Sequence, residues 1–260
     1  MRIDIATAPG NHPRPNEDWS AVAAPSAGSG GTLIVLDGVT PPPDDDGCVH
    51  GVPWFTARLG GALTELSASR REMPLADALA ESIRRTADAH RDTCDLSHPR
   101  TPQATVVMVR WDAETVEHLV LSDSTLLLES PDGRVRAVVD DRLDRVPAAV
   151  RRRTAATDAL RNAEGGFFTA AVDPGVASKA VTGRTPASEV RTAVALTDGA
   201  ARWVEVFREG DWADCVALLR KSGPQELIDR VRAAESADPD RVAFRRGKVC
   251  DDATVVYVEP

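Results

Sequence analysis

The chain has 260 residues, 42% hydrophobic and 27% charged, which supports a substantial buried core and excludes a disordered or fibrous chain. Its formal net charge of −9 argues against a general nucleic-acid or anionic-membrane binder, since phosphate backbones and anionic lipids are repelled. There is no apolar run long enough for a bilayer, no secretory signal in MRIDIATAPG and no CxxC among Cys48, Cys94, Cys215 and Cys250; the expectation is a cytoplasmic chain, with no membrane partner, whose cysteines are small buried apolar residues rather than a zinc knuckle or disulfide framework.

Ile3 and Ile5 alternate with polar neighbours as in a strand, and Ser20–Ala23 is a short second one. Gly28-Ser29-Gly30-Gly31 reads as a hairpin-like connection into Thr32–Leu36, a continuous apolar run that ends in Asp37-Gly38. Val52, Phe55, Leu59, Leu63 and Leu66 give one helix an apolar face; Leu75, Leu79 and Ile83 give a second, with Pro74 at its start and its end near His90. Thr105–Trp111, Val116–Leu121, Leu126–Glu129 and Arg134–Val139 read as an antiparallel meander. From Asp140 to about Ala180 the pattern is mostly helical, broken at Gly165-Gly166 and Pro174-Gly175. Val190–Leu196 is a strand running into Thr197-Asp198-Gly199; two helices are expected between Ala200 and Ala237, and Ala253–Val258 closes the chain as a strand. No repeat or linker divides it, so residues 1–260 read as one α+β domain, sheet on sheet with helices outside.

Carboxylates recur at strand ends: Glu17-Asp18, Asp37, Asp123, Asp198 and Asp251-Asp252. Brought together they would repel one another unless cations neutralised them, and an all-oxygen set suits Mg²⁺ or Mn²⁺. Two such ions would acidify a bridging water and clamp a phosphoryl oxygen. A single Asp-Gly is usually only a turn, as at Asp132-Gly133, so the inference rests on the ordered set.

That set resembles the metal-dependent protein phosphatases of the type 2C (PPM) family. Asn16-Glu17-Asp18 is similar to the family's first acidic motif, Val35-Leu36-Asp37-Gly38 to its Asp-Gly motif, and Thr101–Val106 to its Gly-Ser/Thr-Thr-Ala strand entry. Leu121-Ser122-Asp123-Ser124 resembles the Gly-Asp-Ser hairpin, Ala195–Gly199 the Ser-Asp-Gly motif and Asp251–Val256 the closing Asp-Asn-x-Thr motif. The resemblance implies a central antiparallel β-sandwich flanked by helix pairs, in four αββα layers, with two metals at one end. Asp37 would bridge both, Asp198 and Asp251 would hold one, and Glu17 with the Gly38 carbonyl the other. Asp123 matches a third, weaker site, Asp18 would orient a water, and Thr254 would pack or hydrogen-bond beside the site. The implied reaction is attack of metal-activated water on a phosphoserine or phosphothreonine ester of a protein or peptide, without a phosphoenzyme.

The sequence departs from the family in several places. The family's general-acid His after Asp-Gly is replaced by Val39-Thr40-Pro41-Pro42-Pro43; His50 or His12 would be substitutes, against an ordinary structural role for each. Arg14, between two prolines, is nearer to the Glu-Asp pair than the family's phosphate-binding Arg; a guanidinium suits phosphate, and a solvent-exposed Arg is the competing reading. Asp252 stands where Asn is usual, and no acid follows Asp198-Gly199 within a few residues to support a third metal. Asp44-Asp45-Asp46 and Arg151-Arg152-Arg153 read as solvated charge, Cys48-Val49-His50 as packing at a helix start, and Phe167, Phe168 and Trp54 as core, although Asn162–Pro174 lies where the family often has a flap. The rival readings are a phosphatase-like binding module without turnover and a phosphatase for a small molecule or modified peptide. Oligomeric state has no signature in the sequence.

Overall fold

The computed structural model describes residues 1–10, 14–25, 30–41, 46–151 and 154–260. His12, Gly28-Ser29, Pro42-Pro43, Asp44-Asp45 and Arg152-Arg153 lie outside the described residues.

Among the described residues, ten strands form two antiparallel sheets. In chain order they are β1 (Arg2–Ala8), β2 (Trp19–Ala23), β3 (Gly31–Leu36), β4 (Val106–Trp111), β5 (Thr115–Leu121), β6 (Thr125–Glu129), β7 (Val135–Val138), β8 (Val181–Pro186), β9 (Thr192–Leu196) and β10 (Ala253–Glu259). The first sheet runs β1-β10-β9-β6-β7 and the second β2-β3-β4-β5-β8. The long helices are α1 (Val52–Ser69), α2 (Leu75–Asp88), α6 (Asp198–Glu205), α7 (Trp212–Ser222) and α8 (Pro224–Ala237); α3 (Arg142–Arg145), α4 (Ala148–Arg151) and α5 (Thr154–Asp158) are single turns.

Period-two alternation sorts the apolar side chains into three packed zones. Leu33 and Val35 of β3 point between the sheets, with Val107, Val109, Val120, Leu126, Ala195 and Val256. Ile34 and Leu36 point outward onto α1 and α2, through Phe55, Leu59, Leu63, Leu79 and Ile83. On the far side, Leu127, Val194, Leu196, Val255 and Tyr257 meet α6, α7 and α8 through Trp203, Val216, Leu219, Leu227 and Val231. The expected αββα layering is therefore present.

Four expectations are corrected. The meander is split: β4 and β5 belong to one sheet and β6 and β7 to the other. The chain crosses between them at Ser122–Ser124, where Ser122 takes φ 70 and its amide donates to buried Asp140 at 2.9 Å. The Asp140–Ala180 stretch is less helical than expected, with three single turns and a 3-10 segment at Pro174–Lys179, because it has no sustained apolar stripe to bury. Edge strand β8 is absent from the sequence reading, since its sequence VTGRTP is polar and mostly exposed; a Cβ at Gly183 would fall 2.4 Å from Cε1 of His118 on the neighbouring strand, so glycine is needed there. Three helices, not two, follow β9, because Gly223 at φ 82 ends α7 and Pro224 starts α8.

Among the described helices none is long and apolar enough to cross a membrane. Leu59→Ala is expected to lower the unfolding free energy by about 2–5 kcal/mol in urea titration, since Leu59 is fully buried. Ile5→Ala, at a position 46% exposed, is expected to change it by less than about 1 kcal/mol.

Candidate active site

Strand register decides where the acids meet. Trp19 pairs with Leu36, Val106 with Leu121, and both Thr125 and Val255 with Leu196. The starts of β2, β4, β6 and β10 therefore lie beside the ends of β3, β5 and β9. Glu17-Asp18, Asp37, Asp123, Asp198 and Asp251-Asp252 all occupy those termini, at one end of the sandwich.

Two glycines permit the close approach. A Cβ on Gly38 would lie 2.4 Å from Val52 Cγ1 and 2.5 Å from the Glu17 carbonyl oxygen; one on Gly199 would lie 1.9 Å from the Asp252 carbonyl oxygen. The Asp-Gly pairs are thus packing requirements as well as turns. Asp198 opens α6, and its amide points at Asp37 Oδ2 at 3.3 Å, which sets a carboxylate at a helix N-terminus. Asp252 accepts the Gly10 and Glu17 amides, each at 2.8 Å, so the acid in place of Asn ties two loops together with both oxygens. Asp18 Oδ2 accepts from Thr254 Oγ1 at 2.7 Å and Thr197 Oγ1 at 3.0 Å, while Asp18 Oδ1 is buried with no partner among the described residues.

The electrostatics follow from crowding. Burial pushes Asp37 well above the usual carboxylate range, and the charges of Asp198, Asp18, Asp251 and Asp123 push it further. Asp198 is raised to about 7 by burial and by Asp251 and Asp123, against Arg202 and Lys248. Asp18 is raised to about 8, again chiefly by burial. Burial also raises Glu17 and Asp123. An all-oxygen donor set with excess negative charge and an orphaned buried carboxylate oxygen fits hard divalent cations.

The sequence reading missed the cations. Lys248 Nζ lies 2.6 Å from Asp251 Oδ1 and 2.9 Å from Thr40 Oγ1, and Thr40 donates to Glu17. Arg202 holds the other Asp251 oxygen at 2.8 Å and buried Glu235 at 2.6 Å. Burial lowers the Lys248 ammonium, but Asp251, Asp198 and Asp37 outweigh it and hold the group above its ordinary value. Lys248 is delivered by a tight turn in which Asp238 takes three backbone amides and pairs with Arg246 at 2.8 Å.

A cleft of about 530 Å³, lined by Arg14, Glu17, Thr40, Arg161, Lys248 and Asp251, adjoins a smaller one lined by Asp37, Asp123 and Asp198. Arg14 is exposed and lines this cleft; Arg161, absent from the sequence reading, lies over the Phe167 ring at 5.0 Å and lines both clefts. Phe167 is core, as expected, and Thr169 Oγ1 donates to Gln103 Oε1 at 2.6 Å, which fastens the expected flap segment to the loop before β4. His50 is outside the clefts, stacked on Trp54 at 4.2 Å.

Solved structures share this architecture. Stp1 from Staphylococcus aureus, a serine/threonine phosphatase, matches with TM-score 0.63 and 10% identity over 100% of this chain and 95% of that one. The S. agalactiae serine/threonine phosphatase matches with TM-score 0.62 and 15% identity, over 98% of each chain. The catalytic domain of the serine/threonine protein phosphatase PstP, in complex with two manganese ions, matches with TM-score 0.59 and 16% identity over 98% of this chain and 96% of that one. The fold is that of the type 2C phosphatases. No protein-family model and no curated protein matches the chain.

In the metal-free protein, carboxyls such as Asp18 and Asp198 keep their protons when folded at a pH where the unfolded chain has lost them. Stability therefore falls as pH rises from about 4 through about 8. In EDTA the melting temperature is expected to drop across that window, and Mn²⁺ is expected to restore most of the loss near neutral pH. A melting temperature independent of pH in EDTA would contradict the crowded, proton-holding site.

Proposed function

We propose that the chain, as one catalytic domain over residues 1–260, is a metal-dependent phosphatase for phosphoserine and phosphothreonine esters of proteins or peptides, with Mn²⁺ or Mg²⁺ as cofactor. The carrying observation is the convergence of Glu17, Asp37, Asp123, Asp198 and Asp251 at one end of a type 2C fold, with Asp37 burdened by its acidic neighbours.

Asp37 is the shared ligand in this reading. Asp198 and Asp251 complete one cation position, Glu17 and the Gly38 carbonyl the other, and Asp123 is the candidate for a third. When bound, a pair of divalent cations would lower the pKa of a water and neutralise charge on the phosphoryl group. Asp18, with one oxygen fixed by Thr197 and Thr254, offers its other oxygen to accept a hydrogen bond from that water and aim it. Arg14 and Arg161 face the cleft with guanidinium groups suited to phosphate oxygens. With no His after Asp37-Gly38, Thr40 and the charged Lys248 line the side of the cleft beside Glu17, and Lys248 is placed to stabilise negative charge on a phosphoryl or leaving oxygen.

One observation favours a second reading, a binding module of the same fold. Both oxygens of Asp251 are held by cationic side chains, Arg202 and Lys248. The two readings separate experimentally. Hydrolysis of an aryl phosphate is expected with Mn²⁺ or Mg²⁺ and not with EDTA, and Asp37→Asn is expected to reduce it by more than the roughly 100-fold that loss of an outer-shell partner costs. Retained turnover in Asp37→Asn would overturn the phosphatase reading. Lys248→Met removes a competing cation and is expected to tighten Mn²⁺ binding several-fold by calorimetry. Mn²⁺ uptake by Lys248→Met alone, with none by the unsubstituted chain, would favour the binding module.

A further inference from the structure

The scattered cysteines are not all isolated buried thiols. Cys215 is buried, but Cys48 and Cys94, 46 residues apart, bring their sulfurs to 3.2 Å, and Cys48 Sγ lies 3.6 Å from His90 Nδ1. Ligand atoms of Cys48, His90 and Cys94 all fall within 4.8 Å of one another. His90 is 2% exposed, and its Nε2 is buried with no partner among the described residues. A tetrahedral zinc ion, with bonds of about 2.3 Å to sulfur and about 2.0 Å to nitrogen, separates S and N by roughly 3.5 Å and two sulfurs by roughly 3.8 Å. The sulfur–nitrogen distance already agrees, and the sulfurs need to part by about half an ångström.

The backbone holds this arrangement from both sides. After α2 the chain makes one more turn, Cys94 N donating to the His90 carbonyl at 3.0 Å, which sets His90 and Cys94 on one face. The opposing segment is fixed by Asp95 N to the Gly47 carbonyl at 2.8 Å and Cys48 N to Asp46 Oδ1 at 2.9 Å. Gly47 takes φ 76, where a Cβ would meet His98 Cβ at 2.7 Å. His50, two residues from Cys48, has its ring 6.2 Å from that of His90 and Nε2 3.2 Å from Thr93 Oγ1. A disulfide would use only the two sulfurs; a thiophilic cation would use all three groups, taking His90 through the Nδ1 that already faces Cys48.

We infer that Cys48, His90 and Cys94 form a second metal site, chemically distinct from the all-oxygen cluster and suited to Zn²⁺ with three protein ligands and a water. Binding displaces the thiol protons of Cys48 and Cys94 to solvent, so the sulfurs ligate as thiolates. The site joins the loop before α1 to the chain leaving α2. The chain leaving α2 leads through Pro99–Thr101 to the wall of the phosphate-side cleft. A cation there braces that wall.

The test does not depend on turnover. The reduced full chain, stripped with EDTA, is titrated anaerobically with Co²⁺ and then Zn²⁺. Thiolate-to-cobalt charge-transfer bands, abolished by one equivalent of Zn²⁺, are expected in the unsubstituted chain and in Asp37→Asn, which leaves Cys48, His90 and Cys94 unaltered. Cys48→Ser and Cys94→Ser are expected to lose the bands while circular dichroism shows the fold retained. Should either variant fail to fold, the spectrum of the unsubstituted chain decides alone. Absence of the bands in protein whose thiols titrate as free would overturn the site, as would a Cys48–Cys94 disulfide with no metal uptake after reduction. Failure of the phosphatase reading would leave these bands untouched.

Discussion

Mutual repulsion among carboxylates withdrawn from water governs the rest of this structure. Two ionised carboxylates about 4 Å apart at a partly buried site cost roughly 4 kcal/mol, and several such pairs would exceed the whole stability margin of a domain. The protein meets this demand locally. Protons stay on Asp18 and Asp198 to unusually high pH, Lys248 and Arg202 close on Asp251, and the Asp198 amide faces Asp37. A site that holds protons and lysine against its own charge is one in which divalent cations gain binding free energy by replacing them.

The sandwich supplies the rigidity that keeps those acids together. Fully buried Leu36 and Leu196 each immediately precede the turn that presents Asp37 and Asp198, so the termini cannot splay without opening two packed zones. Close backbone approach at Gly38 and Gly199 removes slack between neighbouring turns. Asp252 holds the Gly10 and Glu17 amides, while Asp140 accepts the Ser122 amide at the crossing and pairs through both oxygens with Arg142. Both acids therefore fix backbone position, and Asp252 adds its charge to the crowding around Asp18 and Glu17 as well.

The apolar strands and the acids at their ends were legible because both are local: β3 and β9 are mostly apolar, Asp37 follows β3 directly and Asp198 follows β9 after Thr197. The apolar stripes of α1 and α2 were equally readable. Polar, exposed β8 was not, because its pairing with β5 is imposed by the neighbouring strand rather than by its own pattern. Lys248 and Arg161 escaped notice because nothing near them in sequence marks them; the Asp238–Arg246 turn positions one and packing on Phe167 the other. Cys48 and Cys94 looked solitary because their meeting depends on the loop before α1 folding against the end of α2.

Thr40 couples the two acidic edges of the site. Its hydroxyl donates to Glu17 and accepts from Lys248, which in turn pairs with Asp251, so one chain of contacts links an acid from the first strands to an acid before the last. On the proposed reading, a cation held by Glu17 and Asp251 would compete with Lys248 for the Asp251 oxygen they share. Lys248 shares its cleft with Arg14 and Arg161. On the proposed phosphatase reading, an ammonium displaced by a cation would stay tethered there, where the charge of a phosphoryl group would replace that of Asp251. That exchange requires a flexible point charge rather than a planar fork, which is a physical reason for lysine at this position while the fixed Asp251 contact is made by arginine.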